Sequence, residues 1–157
     1  MLYAAYGSNI NLEQMAYRCP NSVPVGVGLI QGWKLCFNTH ADIRRSYEPS
    51  DTVPVLLWEI ADEDWAKLDR YEGFPKYYVK ETVIVYRYDD NDCCHEEEAI
   101  VYVMSSIFCE GYAFPKEDYF NIILEGYKEN GIDFSNLHEA ILYTSFCMES
   151  QYFNFDI

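Results

Sequence analysis

The order of the strand and helix signals constrains the fold of this chain more than any other feature of its sequence. A short apolar strand comes first, a helix follows it, and a long β-rich middle is interrupted by one short helix before two more helical segments. A doubly wound fold needs strands and helices that alternate, and this order does not alternate. We therefore predict an α+β fold, built as a curved, mostly antiparallel sheet or small barrel with helices outside it.

The boundaries of these elements come from capping residues, turn residues and the spacing of apolar positions. In the first half we predict a strand at residues 2–6 and a helix that a capping box at residues 11–14 opens and Pro20 ends. Paired strands follow at residues 23–30 and 33–38 around Gln31 and Gly32. A turn at residues 51–54 then leads to a strand at residues 55–60. In the second half we predict a helix that Asp62 caps and that runs to Glu72, and then a hairpin of residues 77–88 and 97–104 around residues 89–92. A helix after Pro115 stops near Asn130 and Gly131, and a last helix starts at Ser135 or Asn136.

Length and charge limit the class of protein. The chain has 157 residues, 50% of them hydrophobic, which is enough for a self-supporting core, and we predict a single domain over residues 1–157. Its net charge of −15 repels phosphate backbones and anionic lipid surfaces. No apolar run reaches the ~20 residues of a membrane span, and the first residues lack a signal-peptide pattern. We expect a cytoplasmic protein that binds neither nucleic acid nor membrane.

The cysteines and histidines form no metal-binding motif. The 6 cysteines contain no CxxC pair, and most lie in apolar stretches, where a reduced thiol acts as a small hydrophobic group. Cys93, Cys94 and His95 are adjacent, but no second ligand pair stands at zinc spacing, so we interpret this loop as structural. We predict no metal site.

One candidate for chemistry is the loop Tyr6-Gly7-Ser8-Asn9, which lies between the predicted first strand and first helix. Glycine permits a tight turn, and the exposed amides before a helix can receive a carboxylate or a phosphate. The same residue types are common in ordinary strand-to-helix turns. The spacing alone leaves both interpretations open.

A second candidate is Glu72. Trp65, Leu68 and Glu72 follow helical spacing, so the carboxyl lies on a face with two large apolar side chains that should point into the core. Burial and the C-terminal end of the helix dipole both disfavour a negative charge and raise the pKa of Glu72. Such an acid can transfer protons near neutral pH. The alternative is that Glu72 reaches solvent from a frayed last turn or hydrogen-bonds the next loop.

Three motifs occur together in this chain, and they are Tyr6-Gly7-Ser8-Asn9-Ile10, Leu68-Asp69-Arg70-Tyr71-Glu72-Gly73-Phe74-Pro75 and, shortly after it, Tyr78. In this combination they resemble the γ-glutamylcyclotransferase family. The similarity extends over most of the chain, including residues 53–55, 99–104 and 115–131. The family's usual leucine after the asparagine is Ile10 here, which keeps the apolar character.

The resemblance implies a small mixed β-barrel with flanking helices and a cavity at its mouth. Members of the family cleave γ-glutamyl amides into 5-oxoproline and a free amine. They need no enzyme nucleophile, metal or cofactor, because the substrate's own α-amine attacks its γ-carbonyl. By position, the family's γ-glutamyl-binding loop, its acid/base and its pocket tyrosines correspond to Tyr6, Gly7, Ser8 and Asn9, to Glu72, and to Tyr78 and Tyr119.

The resemblance also implies roles for these residues. Glu72 would take a proton from the α-amine and deliver it to the departing amine, and the loop amides would hold either the α-carboxylate or the oxyanion. The family includes monomers and homodimers, and its members act on γ-glutamyl amino acids, glutathione, γ-glutamyl amines, γ-glutamyl-lysine and antibiotic intermediates. Two other functions stay open, a γ-glutamyl amidohydrolase or acyltransferase on the same scaffold and a non-catalytic module that binds small carboxylates.

Overall fold

A computed structural model describes residues 1–109 and 111–153, and a closed five-stranded barrel forms its centre. The strands are β1 (Leu2–Ala5), β2 (Val23–Gln31), β3 (Trp33–Asn38), β4 (His40–Arg45), β5 (Thr52–Glu59), β6 (Tyr78–Tyr88) and β7 (Cys94–Met104). The helices are α1 (Leu12–Arg18), α2 (Trp65–Glu72), α3 (Glu117–Glu129) and α4 (Ser135–Phe153), and a short 3₁₀ turn spans Ser8–Ile10.

The barrel runs in the order β1-β5-β2-β6-β7 and closes where β7 lies parallel to β1. Every other neighbouring pair is antiparallel. Alternate residues of the strands point inward, and Val55, Leu57, Val85 and Val101 are fully buried there. The predicted α+β class and the mostly antiparallel barrel are confirmed.

The predicted pairing of residues 23–30 with residues 33–38 is wrong. β2 pairs with β5, from Val23 opposite Glu59 to Gln31 opposite Thr52. The chain turns at Gly32, whose φ is 73°, and β3 leaves the barrel to pair with β4 in a separate two-stranded ribbon. The sequence patterns do not predict β4. Local turn signals cannot distinguish a neighbouring strand from one that lies about 20 residues further along the chain.

The start of β5 and the N-cap of α2 also differ from the prediction. β5 begins at Thr52 and contains Pro54, which was assigned to a turn. β1 pairs with β5 only from Leu56 onward, so the missing N–H of Pro54 removes no hydrogen bond on that side. The N-cap of α2 is Asp64 and not Asp62. The buried Asp64 carboxylate accepts hydrogen bonds from Asn21 and Ser22 in the turn before β2. It also forms an ion pair with Lys67 of α2.

The remaining predicted elements are present. Asn11 caps α1 by accepting a hydrogen bond from the backbone N–H of Gln14 at 3.0 Å. β6 and β7 form the predicted hairpin, although β7 begins at Cys94, three residues before the predicted start. α3 buries Ile123 and Tyr127 of its predicted apolar stripe. α3 ends at Glu129, beside the predicted stop at Asn130 and Gly131, and α4 begins at Ser135, as predicted.

Three further properties concern residues 1–109 and 111–153. No helix in these ranges is both long and apolar enough to cross a membrane. No group of three or more histidine, cysteine, aspartate or glutamate side chains there is arranged to hold a metal ion. All six cysteines fall within these ranges and are free thiols.

Candidate active site

A cavity of about 580 Å³ lies between the loop after β1, the end of α2 and the β3–β4 ribbon. A small recess of about 30 Å³ adjoins it. Both spaces share four lining residues, and these are Ser8, Glu72, Tyr78 and Tyr119. All seven residues that the resemblance singled out line the recess, the other three being Tyr6, Gly7 and Asn9.

The loop after β1 forms one wall of the recess. It enters a 3₁₀ turn in which the Ile10 N–H donates to the Gly7 carbonyl at 3.0 Å and the Asn11 N–H donates to the Ser8 carbonyl at 3.2 Å. The amides of Gly7, Ser8 and Asn9 therefore precede the first hydrogen bond of the turn, as the first amides of any helix do. They belong to three residues that line the recess.

Contacts from behind hold this loop in place. The Trp58 indole donates to the Asn9 carbonyl at 3.0 Å, and the Asn130 amide donates to the Ile10 carbonyl at 3.1 Å. α3 packs directly on the loop at Gly126, where a Cβ would lie 2.8 Å from the Asn11 backbone nitrogen. Glycine is the residue that allows this approach. The loop is thus fixed by β5 and α3 and not by its own sequence alone.

Glu72 is the last residue of α2, and the helix places it between the core and the cavity. Leu68, one turn earlier, is fully buried. Gly73 ends the helix with a left-handed φ of 64°, and the Phe74 N–H donates to the Asp69 carbonyl at 2.9 Å. A Cβ at Gly73 would lie 2.5 Å from the Tyr77 ring. This glycine therefore sets both the end of the helix and the direction in which the chain leaves Glu72.

The Glu72 carboxyl is in direct contact with the loop. Asn9 Nδ2 donates to Glu72 Oε1 at 2.7 Å. Burial raises the pKa of Glu72 to about 7, against the opposing effects of the Arg18 charge and the Asn9 hydrogen bond. An acid with this pKa exchanges a proton readily at neutral pH.

Tyr78 and Tyr119 are both held by the backbone of Ala41 in β4. The Tyr78 hydroxyl donates to the Ala41 carbonyl at 2.8 Å, and the Ala41 N–H donates to the Tyr119 oxygen at 3.1 Å. Tyr78 thus uses its proton and keeps oxygen lone pairs, whereas Tyr119 keeps its proton as a donor. Burial raises the pKa of both hydroxyls, so both are neutral at physiological pH.

Further tyrosines line the recess. Tyr3 accepts a hydrogen bond from Asn9 Nδ2 at 2.9 Å, and the Tyr6 hydroxyl donates to the Tyr102 carbonyl at 2.7 Å. The Tyr102 hydroxyl donates to Asp69 in α2. These bonds connect β1 and β7 with the helix that carries Glu72, and they leave the recess with polar groups on an aromatic wall.

Two parts of the site are not predicted from the sequence. Asn38 and His40, at the turn of the β3–β4 ribbon, line the cavity, and the sequence patterns do not predict this ribbon. Arg18 donates to Ser8 Oγ at 3.1 Å and to Asn9 Oδ1 at 2.6 Å. A basic residue in the last turn of a helix is ordinary, so no local signal distinguished Arg18.

Comparison with known proteins adds to this geometry. The sequence matches the family described as gamma-glutamyl cyclotransferase, AIG2-like, over residues 3–121. The gamma-glutamylcyclotransferase of Bos taurus is 28% identical over 149 aligned residues, which cover 83% of this chain and 72% of that protein. The gamma-glutamylcyclotransferase of Homo sapiens is 29% identical over 143 residues with the same coverage. A solved structure of a gamma-glutamyl cyclotransferase superposes with a TM-score of 0.74 at 28% identity, covering 89% of this chain and 85% of that one.

Proposed function

This chain belongs to the gamma-glutamyl cyclotransferase, AIG2-like family, and on that premise we propose that it is an enzyme that releases 5-oxoproline and a free amine from a γ-glutamyl amide. The observation that carries this proposal is the contact of Glu72 with Asn9 at the wall of the recess. It puts an acid of near-neutral pKa beside a loop of main-chain donors. Ring closure of a glutamyl chain needs both.

The proposed substrate binds folded across the boundary between the recess and the cavity. The recess holds only a small group, so the glutamyl chain extends along the four residues that line both spaces, which are Ser8, Glu72, Tyr78 and Tyr119. The larger cavity takes the leaving amine. A well-oriented intramolecular attack reaches effective molarities of ~10⁵–10⁸ M. Holding the chain folded is therefore a large part of the catalysis.

Glu72 is the proposed general base and then the general acid. The α-ammonium of the substrate gives a proton to the Glu72 carboxylate, and the neutral nitrogen attacks the γ-carbonyl carbon to form a five-membered ring. The amide C–N bond then breaks as Glu72 returns this proton to the leaving nitrogen. The ring nitrogen still carries two protons, and the Glu72 carboxylate takes one of them and passes it to the released amine, which leaves 5-oxoproline with one N–H. One carboxyl serves both steps best when its pKa lies near the working pH, as that of Glu72 does.

The loop and the tyrosines supply the remaining polar contacts in this proposal. The amides of Gly7, Ser8 and Asn9 hold either the α-carboxylate or the oxyanion that forms at the γ-carbonyl. Tyr119 offers a proton and Tyr78 an oxygen lone pair, because of the way in which each binds Ala41. The Tyr78 oxygen suits the α-ammonium, and the Tyr119 hydroxyl suits a carboxylate or carbonyl oxygen. No cofactor enters these steps, because the nucleophile belongs to the substrate.

A panel of γ-glutamyl compounds tests the proposal, with 5-oxoproline, glutamate and the released amine measured over time. We expect 5-oxoproline and amine in equal amounts from at least one γ-glutamyl amino acid, peptide or amine. The matched control is the same compound with an acetylated α-nitrogen, which cannot cyclise. Glutamate in place of 5-oxoproline, or cleavage of the acetylated compound, would indicate hydrolysis or acyl transfer. Binding without product from any compound would indicate a non-catalytic carboxylate-binding module.

A further inference from the structure

We propose that Arg18 is a positioning residue, which holds the Asn9 side chain so that its amide nitrogen faces Glu72 and thereby selects the oxygen of Glu72 that carries the proton. The consequence for turnover rests on the proposed function. The contacts that support the inference do not, because they are present in the protein without substrate.

Arg18 is held from three sides. Its Nη1 donates to Ser8 Oγ at 3.1 Å and to Asn9 Oδ1 at 2.6 Å, and its Nη2 donates to Gln14 Oε1 at 2.7 Å. The guanidinium carbon lies 3.7 Å from the centre of the Tyr71 ring in α2. A planar group with this many partners has one orientation. Ser8, Asn9 and Tyr71 line the cavity or its recess, so Arg18 stands one layer behind the wall.

The guanidinium determines which way the Asn9 amide points. Arginine has donors and no acceptor, so it binds the oxygen of Asn9 and leaves the nitrogen on the opposite side. Nδ2 then donates to the Tyr3 hydroxyl at 2.9 Å and to Glu72 Oε1 at 2.7 Å. The flipped amide would put its nitrogen against a cation and its oxygen against a carboxylate. Both contacts would be repulsive.

This orientation of Asn9 distinguishes the two oxygens of Glu72. Oε1 accepts a hydrogen bond from Nδ2, and the better acceptor in a neutral carboxyl group is its carbonyl oxygen. A proton gained by Glu72 is therefore placed on Oε2. Under the proposed function, Oε2 is the oxygen that exchanges the proton with the substrate, while Oε1 stays bound to the loop.

The Arg18 charge also acts on the protonation of Glu72. Arg18 lowers the pKa of Glu72, against the larger effect of burial, which raises it. Titratable and charged groups line the cavity or its recess from the surrounding elements, and they are Tyr3 and Tyr6 near β1, His40 in β4, Arg70 and Tyr71 in α2, Tyr77 before β6, Tyr78 in β6, Tyr102 in β7 and Tyr119 in α3. Two groups outside this lining act electrostatically on the site, Cys19 on Glu72 and Asp42 on Tyr6. Because several ionisable groups line the same cavity, a pH profile of activity alone would not assign an effect to Glu72.

The test is a carbon-13 NMR titration of protein labelled at the glutamate carboxyl carbons, with the Glu72 signal assigned by its loss in Glu72→Gln. The titration is paired with the pH dependence of kcat/KM. In Arg18→Met we expect the midpoint of Glu72 to move to higher pH, and kcat/KM at neutral pH to fall about 10–100-fold, the factor that one charge-assisted hydrogen bond represents. The loss should be smaller at alkaline pH, where Glu72 is ionised again.

Two further variants complete the test. Arg18→Lys keeps the charge but loses the planar fork, so we expect a midpoint near that of the wild type together with a reduced kcat/KM. Arg45→Met removes an exposed arginine whose ion pair is with Glu81, and it should change neither quantity.

An unchanged Glu72 midpoint in a folded Arg18→Met protein would overturn the proposal. If Arg18→Met does not fold, Arg18→Lys decides, because full activity in that variant would show that the fork is not needed. A wild-type protein that makes no 5-oxoproline would contradict the proposed function. The comparison of Glu72 midpoints would still decide the role of Arg18.

Discussion

Asn9 Nδ2 and Glu72 Oε1 lie 2.7 Å apart, although 63 positions separate the two residues in the chain. One side chain comes from the turn after β1 and the other from the last residue of α2. Both residues line the recess, so under the proposed function the loop donors and the carboxyl act on the same bound group. A conservative change at either residue is expected to alter activity more than it alters the fold.

Glu72→Gln is expected to fold and to release 5-oxoproline ~10²–10⁴-fold more slowly than the wild type, the usual contribution of general acid-base catalysis. Glutamine keeps the size of the side chain and can still accept from Asn9, but it cannot take a proton. Glu63→Gln, an exposed residue just before α2, is the matched control and should keep full activity. A Glu72→Gln protein with most of its activity would remove this carboxyl from the mechanism.

The pH dependence of kcat/KM is expected to show an ascending limb with a midpoint near pH 7. Glu72 must be ionised to accept the proton of the α-ammonium, and burial raises its pKa to about 7. The residual activity of Glu72→Gln should lack this limb. If the limb persists in Glu72→Gln, another group controls the profile, and the substrate α-amine is the first to test, by comparing substrates of different amine basicity.

The free energy of unfolding is also expected to depend on pH through Glu72, and it should decrease as pH rises. The pKa of Glu72 in the folded protein, about 7, is above the ~4.3 of an unfolded glutamate. The folded state therefore binds the proton more tightly, and stability falls as pH rises from about 4 to about 7. Glu72→Gln removes this effect, so its free energy of unfolding should exceed that of the wild type by ~1–3 kcal/mol above neutral pH.

Urea unfolding at about pH 4.5 and pH 8 measures this difference. Glu72→Gln should be more stable than the wild type at pH 8, and the two proteins should differ little in free energy of unfolding at pH 4.5. An equal difference at both values would mean that the substitution acts through packing and not through the charge.

Gly126→Ala is expected to destabilise the protein by ~1–3 kcal/mol, the usual cost of an extra methyl group in a packed interface. Its Cβ would lie 2.8 Å from the Asn11 backbone nitrogen and 2.9 Å from the Ile10 side chain, so α3 and the loop must move apart. Because the loop carries Asn9, activity should fall as well. Thermal unfolding and 5-oxoproline release measure the two effects.

Glu125→Ala, at the exposed neighbouring position of α3, is the control for Gly126→Ala. It adds no atoms near the loop and should behave like the wild type. Equal losses in the two variants would show that α3 tolerates neither change for reasons unrelated to the loop.

Much of the site could be expected from the sequence because its main parts are local. The loop residues Tyr6 to Asn9 are contiguous, and Glu72 shares a helix face with Leu68. The end of that helix could also be predicted, since Gly73 follows it directly. Helix periodicity and capping depend on neighbours within a few residues, and they are enough to mark the loop and Glu72 as candidates. The choice between a functional and an ordinary role for these residues came from the resemblance to the family.

The parts that could not be predicted depend on distant pairs. The position of β5 between β1 and β2 is a property of barrel closure, and a turn signal at Gly32 is compatible with either neighbour for β2. No sequence pattern distinguishes Arg18, because its hydrogen bonds to Ser8 Oγ and Asn9 Oδ1 form only in the folded chain. Ala41 is similar, since it acts through its backbone.

The hold that Ala41 exerts on Tyr78 and Tyr119 uses one carbonyl and one N–H of the main chain. Every amino acid except proline supplies both groups. Substitution at position 41 by any residue except proline therefore leaves both hydrogen bonds in place as long as the new side chain fits. Other residues of the cavity wall can then change without releasing Tyr78 and Tyr119 from the backbone.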